Sequence, residues 1–302
     1  MLVDIRLRGQ PETETEMPTD HDPSSERTGA SPAAIISHYD MGDEFFRLVL
    51  GPEMVYSCAA FEDGDDLATA QCRKLDHHIG AAGVLPGANV LDIGCGWGAM
   101  LRRVVDGAGA ANAVGLTLSP SQARWIARTP RTEILVLEQD WRDHKPKRPY
   151  DAIVSVGAFE HFVQKGLDPA RKLETYREFF AFCDGALVTG GRMSLQTIAY
   201  SEPHKVHPLL EETFPESDLP LFWEPVAAAE GRFQLVAMRN DGDDYVRTLQ
   251  MWEQSLLTHY DEAVALVGEA ATAKFRRYLR LSAVGFRIGM VGLLRLSFAK
   301  KY

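Results

Sequence analysis

The stretch Asn89-Val90-Leu91-Asp92-Ile93-Gly94-Cys95-Gly96-Trp97-Gly98-Ala99 decides the fold. A short apolar run closes on an acid, glycine then recurs at every second position, and an apolar helical pattern follows over 98–107. Glycines let the backbone turn sharply and approach a ligand closely. The dinucleotide fingerprint G-x-G-x-x-G carries its acid about 20 residues further on. Here the spacing is G-x-G-x-G and the acid, Asp92, precedes the loop. Glycine-rich turns from strand to helix also serve as plain connectors, so the flanking residues must decide whether a ligand sits here.

Outward from this loop, strands and helices alternate. The sequence predicts strands at 88–93, 112–117, 133–137, 150–156 and 190–198, with helices at 98–107, 119–128 and 171–183. That order implies an α/β fold, with a mostly parallel sheet and helices on both faces. Ligands of such sheets sit at the carboxyl ends of the strands. Upstream, Ile35, Ile36, Tyr39, Phe45, Phe46, Leu48 and Leu50 give a helix-compatible pattern up to Gly51. Asp66 opens a second helix, Leu67–Gly80, and residues 33–85 read as an N-terminal helical cap. Residues 199–225, rich in Pro, Glu and His, interrupt the alternation, and 199–260 reads as an inserted lid facing a substrate. Helices at 244–259, 261–268 and 272–284 precede a last strand at 291–299. Residues 9 to about 32 hold few apolar side chains, and 1–32 reads as a disordered leader to one domain at 33–302.

Composition narrows the function. The 302 residues are 45% hydrophobic and 25% charged, enough for a sizeable core. A net charge of −10 argues against a nucleic-acid binder, which would grip phosphates with a basic face. No apolar run approaches the ~18 residues of a membrane span, and the N-terminus lacks a secretory apolar segment. Cys58, Cys72, Cys95 and Cys183 show neither metal nor disulfide spacing. A cytoplasmic protein with reduced thiols and no metal site is expected.

An ordered set of segments carries a resemblance. These are His38-Tyr39-Asp40 with Asp43-Glu44-Phe45-Phe46; Tyr56-Ser57-Cys58-Ala59 with Phe61; Ala70-Gln71 with Lys74-Leu75; and Leu91-Asp92-Ile93-Gly94-Cys95-Gly96-Trp97-Gly98. Further along stand Gly115-Leu116-Thr117-Leu118-Ser119 with Gln122, and Ser155-Val156-Gly157-Ala158-Phe159-Glu160-His161-Phe162. Tyr245, Thr248-Leu249, Trp252 and Gly285-Phe286-Arg287-Ile288-Gly289 complete the set. The glycine loop alone resembles motif I of class I S-adenosylmethionine (SAM) methyltransferases. The whole set, over 33–302, resembles the cyclopropane-fatty-acid synthase family and especially its mycolic-acid branch.

The resemblance implies a class I, Rossmann-like methyltransferase fold and SAM as cofactor. It implies cofactor contacts from Tyr56, Ser57, Asp92, Gly94, Gly96, Gly98, Thr117, Leu118, Gln122 and Trp141. The acid that usually ends the second strand is missing from Gly115-Leu116-Thr117, a departure shared by the family, with Gln122 in its place. By residue type alone, Trp141 reads equally well as a core aromatic and Gln122 as a solvated helix residue.

The chemistry implied is methyl transfer to an unactivated carbon–carbon double bond, giving a carbocation. Proton loss then yields a methylated alkene or a cyclopropane, and water capture yields an alcohol. Tyr39 and Tyr245 are the rings expected to face the cation, a contact worth about 0.5–2 kcal/mol each. In the family a bicarbonate held near the cation serves as base. Carried over, its holders are Cys58, Glu160, Gln196, Ile198 and Tyr245. Gln196 is a departure, because the family usually reads His-Thr-Ile where this chain reads Gln196-Thr197-Ile198. An amide hydrogen-bonds an anion but carries no proton or charge. That weakens the bicarbonate site and points to Glu160 as the base, directly or through water. Glu160 alone would read as a paired structural acid, and its motif context reverses that preference.

The substrate expected is a hydrophobic alkene: an acyl lipid, a polyprenyl diphosphate or a polyketide. An acyl carrier or a membrane surface is a candidate partner. His204, Lys205 and His207, and the arginines Arg276, Arg277, Arg280, Arg287 and Arg295, are candidate contacts for anionic groups, though charge runs are usually solvated faces. Two alternatives stand beside this reading: a small-molecule N-methyltransferase and a non-catalytic SAM- or lipid-binding module.

Overall fold

The structure, a computed structural model, describes residues 29, 31, 41–202 and 218–301. In chain order the elements are α1 (Asp43–Leu50), α2 (Leu67–Ala81), β1 (Asn89–Ile93), α3 (Ala99–Asp106), β2 (Asn112–Thr117), α4 (Pro120–Ala127), β3 (Ile134–Glu138) and β4 (Tyr150–Val156). A 3-10 turn (Phe159–His161), α5 (Pro169–Ala186), β5 (Leu187–Tyr200), α6 (Glu224–Ala229), β6 (Phe233–Asn240), α7 (Gly242–Thr258), α8 (Tyr260–Val267), α9 (Glu269–Arg287) and β7 (Val291–Lys300) follow.

The strands form one sheet in the order β3-β2-β1-β4-β5-β7-β6. β1 to β5 run parallel, and β7 is antiparallel to both β5 and β6. Chain order reverses between β1 and β4, which opens the crevice where such sheets bind ligands. Alternate residues of the central strands bury on opposite faces. Leu91 and Ile93 join Ile153, Phe159, Phe179 and Phe180 in one core, whereas Val90 joins Val154, Leu75 and Leu101 in another. A third core, rich in aromatics, gathers α1, α7 and α9 around Phe46, Trp97, Trp252 and Phe275.

Local chemistry sets the helix starts. Asp66, Ser119 and Asp168 each accept a backbone N–H of the first turn, and Pro120 and Pro169 occupy positions where no N–H is missed. α3 has no side-chain cap and begins directly after Gly98, so its first N–H groups face the glycine loop.

The expected strands and helices from β1 to β5, and the last three helices and the last strand, lie within three residues of their sequence-based bounds. The sequence did not predict β6 and α6. β6 is exposed at every residue but Phe233, because it pairs only with β7 at the sheet edge and shows neither alternation nor an apolar run. It lies inside the span 199–260 expected as an insertion and is a strand of the main sheet. Most of the expected leader, Tyr39, and the segment 203–217 with His204, Lys205 and His207 lie outside the described residues. Among the described residues, no helix is long and apolar enough to cross a membrane.

Candidate active site

The glycine loop folds because three of its residues need no side chain. Gly94, Gly96 and Gly98 all take positive φ, at 81°, 53° and 81°. A Cβ on Gly94 would lie 2.3 Å from the Ala158 Cβ, and one on Gly98 would lie 2.8 Å from the Ile126 Cγ1. A Cβ on Gly96 would meet nothing within 4 Å, because that position opens into empty space. Two hollows meet there, sharing Gly94, Gly96, Gln122 and Gly157. Together they make a channel across the carboxyl ends of β1, β2 and β4.

The first hollow is polar. Tyr56, Ser57, Lys74 and Asp92 line it. Asp92 is buried and its Oδ2 has no hydrogen-bond partner among the described residues. Burial pushes its carboxyl up to about 7, against the pull of the Lys74 ammonium. Lys74 is itself buried, which drives its amine down to about 7, and its Nζ donates to the Ser57 Oγ at 2.7 Å. Gln71, one turn earlier on α2, donates to the Ser57 carbonyl at 2.8 Å. α2 therefore fixes the Tyr56-Ser57 segment.

The second hollow is lined by Thr117, Leu118, Gln122, Asp140, Trp141 and His161, among others. The Thr117 hydroxyl donates to the Gln122 Oε1 at 2.7 Å and so orients the amide. Trp141 packs into the core against Phe162, Phe179 and Phe182, with the Arg142 guanidinium 4.4 Å above its ring, and it also borders the hollow.

Glu160 sits on the 3-10 turn after β4, with its side chain buried. Its Oε1 accepts the Ile198 N–H at 2.6 Å, and its Oε2 has no hydrogen-bond partner among the described residues. Burial lifts the carboxyl to about 7, and the polar groups of Ile198, Glu160 itself and Thr197 act in the opposite direction. Glu160 and Ile198 are thus in direct contact. Tyr245, on α7, lies 4.6 Å from Phe286 with the two rings tilted at 41° and meets Trp252 edge-on at 6.2 Å. Tyr56 lies 5.2 Å from Trp252 and 5.3 Å from Phe46, so this side of the site is walled by aromatic rings.

Cys58 and Gln196 belong to a different grouping. Cys58 is buried, which pushes its thiol up to about 12 and keeps it neutral. Its sulfur lies 3.6 Å from the Arg295 Nη2, and the Gln196 Oε1 lies 3.0 Å from the Arg295 Nε. Arg295, grouped by sequence with surface arginines, is only 2% exposed. The reason is its place on β7, directly opposite Gln196 of β5 and covered on its other side by β6. Lys74 and His78 are the groups that sequence reasoning left without a role, and Arg295, expected to contact an anionic group, is instead buried. The only signal was Ala70-Gln71 with Lys74 in a matching segment.

These residues suit S-adenosylmethionine. Its methionine end presents an ammonium and a carboxylate, and the first hollow offers an unpaired carboxylate at Asp92 beside hydroxyl and ammonium donors at Ser57 and Lys74. The open side of Gly96 gives room that any Cβ would fill.

Comparisons with known proteins place the chain in a family and identify its cofactor. The family model described as mycolic acid cyclopropane synthetase matches residues 27–296. Cyclopropane mycolic acid synthase 1 of Mycobacterium tuberculosis is 34% identical over 291 residues, covering 89% of this chain and 97% of that protein. The structure of the cyclopropane synthase MmaA2 from Mycobacterium tuberculosis superposes with a TM-score of 0.80 at 33% identity, over 90% of this chain and 99% of that one. The mycolic acid cyclopropane synthase CmaA1, solved in complex with SAH and CTAB, gives 0.79 at 32% identity over 90% and 99%.

Proposed function

The chain belongs to the mycolic acid cyclopropane synthetase family and is a SAM-dependent methyltransferase, and from that premise we propose that it methylates a carbon–carbon double bond of a lipid, with Glu160 taking the proton that completes the reaction. The observation that carries this is Glu160 itself. It is a buried carboxylate, anchored through one oxygen on Ile198, with the other oxygen uncommitted and its affinity for a proton lifted to about 7. A general base works best with a pKa near the working pH.

Bound SAM supplies an electrophilic methyl group. Asp92 would hold its ammonium, Ser57 with Lys74 behind it would hold its carboxylate, and Thr117, Leu118, Gln122 and Trp141 would hold the ribose and adenine. The glycine loop lets the backbone close on the cofactor. Tyr245, with Phe286 and Trp252 packed around it, offers a ring face to positive charge on the substrate and keeps water away. Glu160 Oε2 then accepts a proton. Loss from the incoming methyl closes a cyclopropane, and loss from a neighbouring carbon leaves a methylated alkene.

Cys58, buried and neutral, acts as a weak hydrogen-bonding partner rather than a nucleophile. Gln196 offers an amide where a histidine is usual, so no protonated side chain at that position helps hold a bicarbonate. The substrate is an acyl-chain alkene, in keeping with the mycolic-acid names of relatives about one-third identical. Delivery by an acyl carrier or from a membrane surface would suit such a chain.

The test is Glu160→Gln. The variant should bind S-adenosylhomocysteine as the wild type does, yet lose about 10²- to 10⁴-fold in turnover of an unsaturated acyl substrate. Turnover at the wild-type rate would remove Glu160 from the mechanism.

A further inference from the structure

Arg295 makes more directed contacts than any role given to it so far requires. Its Nε donates to the Gln196 Oε1 at 3.0 Å. Its Nη2 donates to the Ala59 carbonyl at 2.7 Å and lies 3.6 Å from the Cys58 sulfur. Its Nη1 donates to Asp241 and lies 3.5 Å from the Asp244 carboxylate. One buried guanidinium thus joins strand β5, the loop carrying Cys58, and the start of α7, which carries Tyr245.

The chemistry of arginine fixes the protons around it. Guanidinium only donates, so the Gln196 atom that faces it must be the carbonyl oxygen. His78 Nε2 lies 3.2 Å from that same oxygen and must therefore carry a proton. Burial holds this imidazole far below its ordinary pKa and hence neutral. Its Nδ1 is then the acceptor, taking the Ser194 hydroxyl at 2.8 Å. Two donors fill the Gln196 oxygen, which leaves the amide's NH2 as its donating end, on the side turned away from Arg295 and His78.

The geometry points to Arg295 as a positioning residue for methyl transfer: its fork sets the Gln196 amide with the NH2 turned away from it while tying the Cys58 loop and the Tyr245 helix to the same strand. This rests on the roles proposed above for Gln196, Cys58 and Tyr245. Lysine is no substitute, because its three donors radiate from one nitrogen, whereas strand, loop and helix are bonded by three separate nitrogens of the guanidinium fork.

The experiment is a double-mutant cycle of Arg295→Lys and Gln196→Ala in the full chain. It reads kcat on an unsaturated acyl substrate, S-adenosylhomocysteine affinity by calorimetry, and Tm. Each single variant should lose about tenfold or more in kcat, and cofactor-product affinity should stay within about twofold. The double variant should be no slower than the slower single, even though its Tm falls further. Wild-type kcat in Arg295→Lys overturns the inference, and so do losses that multiply in the double variant. Wild-type kcat in Gln196→Ala instead sinks the underlying reading of Gln196, and any loss left in Arg295→Lys then shows that it acts elsewhere. Gln196→Glu guards against a lysine variant that fails to fold. It keeps both acceptor bonds but puts a charged oxygen that cannot donate in place of the NH2, so it should lose kcat as Gln196→Ala does, and undiminished turnover would overturn the orientation argument.

Discussion

As the proposed base, Glu160 would couple chemistry to pH in a way that fixes the sign of two effects. As the base it must be ionised, so kcat should rise with pH through a limb near 7, and that limb should vanish in Glu160→Gln. Stability runs the other way. The folded-state pKa is raised from 4.5 to about 7, so the contribution is fully present below 4.5 and is lost as pH rises through about 7. The loss is on the order of 3 kcal/mol. Denaturant titrations from pH 4 to pH 8, about the range spanned by the two pKa values, should show the wild type losing stability relative to Glu160→Gln. The glycines give a second residue-scale contrast. Gly94→Ala drives a Cβ to 2.3 Å from Ala158 and should impair folding itself. Gly96→Ala meets open space, so its cost is confined to the left-handed backbone, about 1–2 kcal/mol, while the methyl group intrudes on the cofactor. Thermal melts and calorimetry should therefore separate the two: Gly94→Ala loses Tm, and Gly96→Ala loses chiefly S-adenosylhomocysteine binding. The glycine loop, Asp92 and Glu160 were legible in the sequence because their neighbours along the chain mark them. Lys74, His78 and Arg295 were not, because their partners Ser57, Ser194 and Gln196 lie far away in sequence and no periodic pattern connects them.

Among the elements, α2 makes the most contacts to the candidate site for its length. Gln71, Lys74 and His78 lie on one face of it, three and four residues apart, and reach the Ser57 loop and the β5 strand. α5 has a supporting role. Its Tyr176 stacks on Phe159 at 4.3 Å, directly beside Glu160, so it holds the 3-10 turn against the sheet. The start of α5 depends on Asp168, whose Oδ1 accepts the N–H groups of Ala170 and Arg171. Asp168→Ala should cost about 1 kcal/mol of stability, seen as a lower Tm, with turnover per folded molecule unchanged. A large loss of kcat in a fully folded Asp168→Ala would show that α5 does more than support. The inner strands were readable because they are apolar runs between helical patterns. β6 was not, since seven of its eight residues face solvent and only pairing with β7 makes it a strand.

At the scale of the whole molecule, the site is assembled from three cores rather than carried by one. The sheet supplies Asp92 and Gln196, the α2 side supplies Lys74 and His78, and the aromatic core of α1, α7 and α9 supplies the wall around Tyr245. Filling the channel between them should stabilise the entire fold. S-adenosylhomocysteine at 100 times its Kd should add about 2.7 kcal/mol and raise Tm, and Gly96→Ala should abolish that rise. Topology was legible from the alternation of elements, whereas the junction of the three cores at Arg295 depends on contacts that only folding creates. The central claim is that the methyl group goes to an alkene carbon with Glu160 removing the proton. It is tested most directly by incubating wild type and Glu160→Gln with methyl-deuterated SAM and an unsaturated acyl lipid, and reading the product by mass spectrometry. The account predicts label on carbon in the wild-type product, with one deuterium fewer than the donor supplied if a ring has closed, and almost no product from a variant that still binds the cofactor. Label on nitrogen or oxygen, or equal product from both proteins, would contradict it.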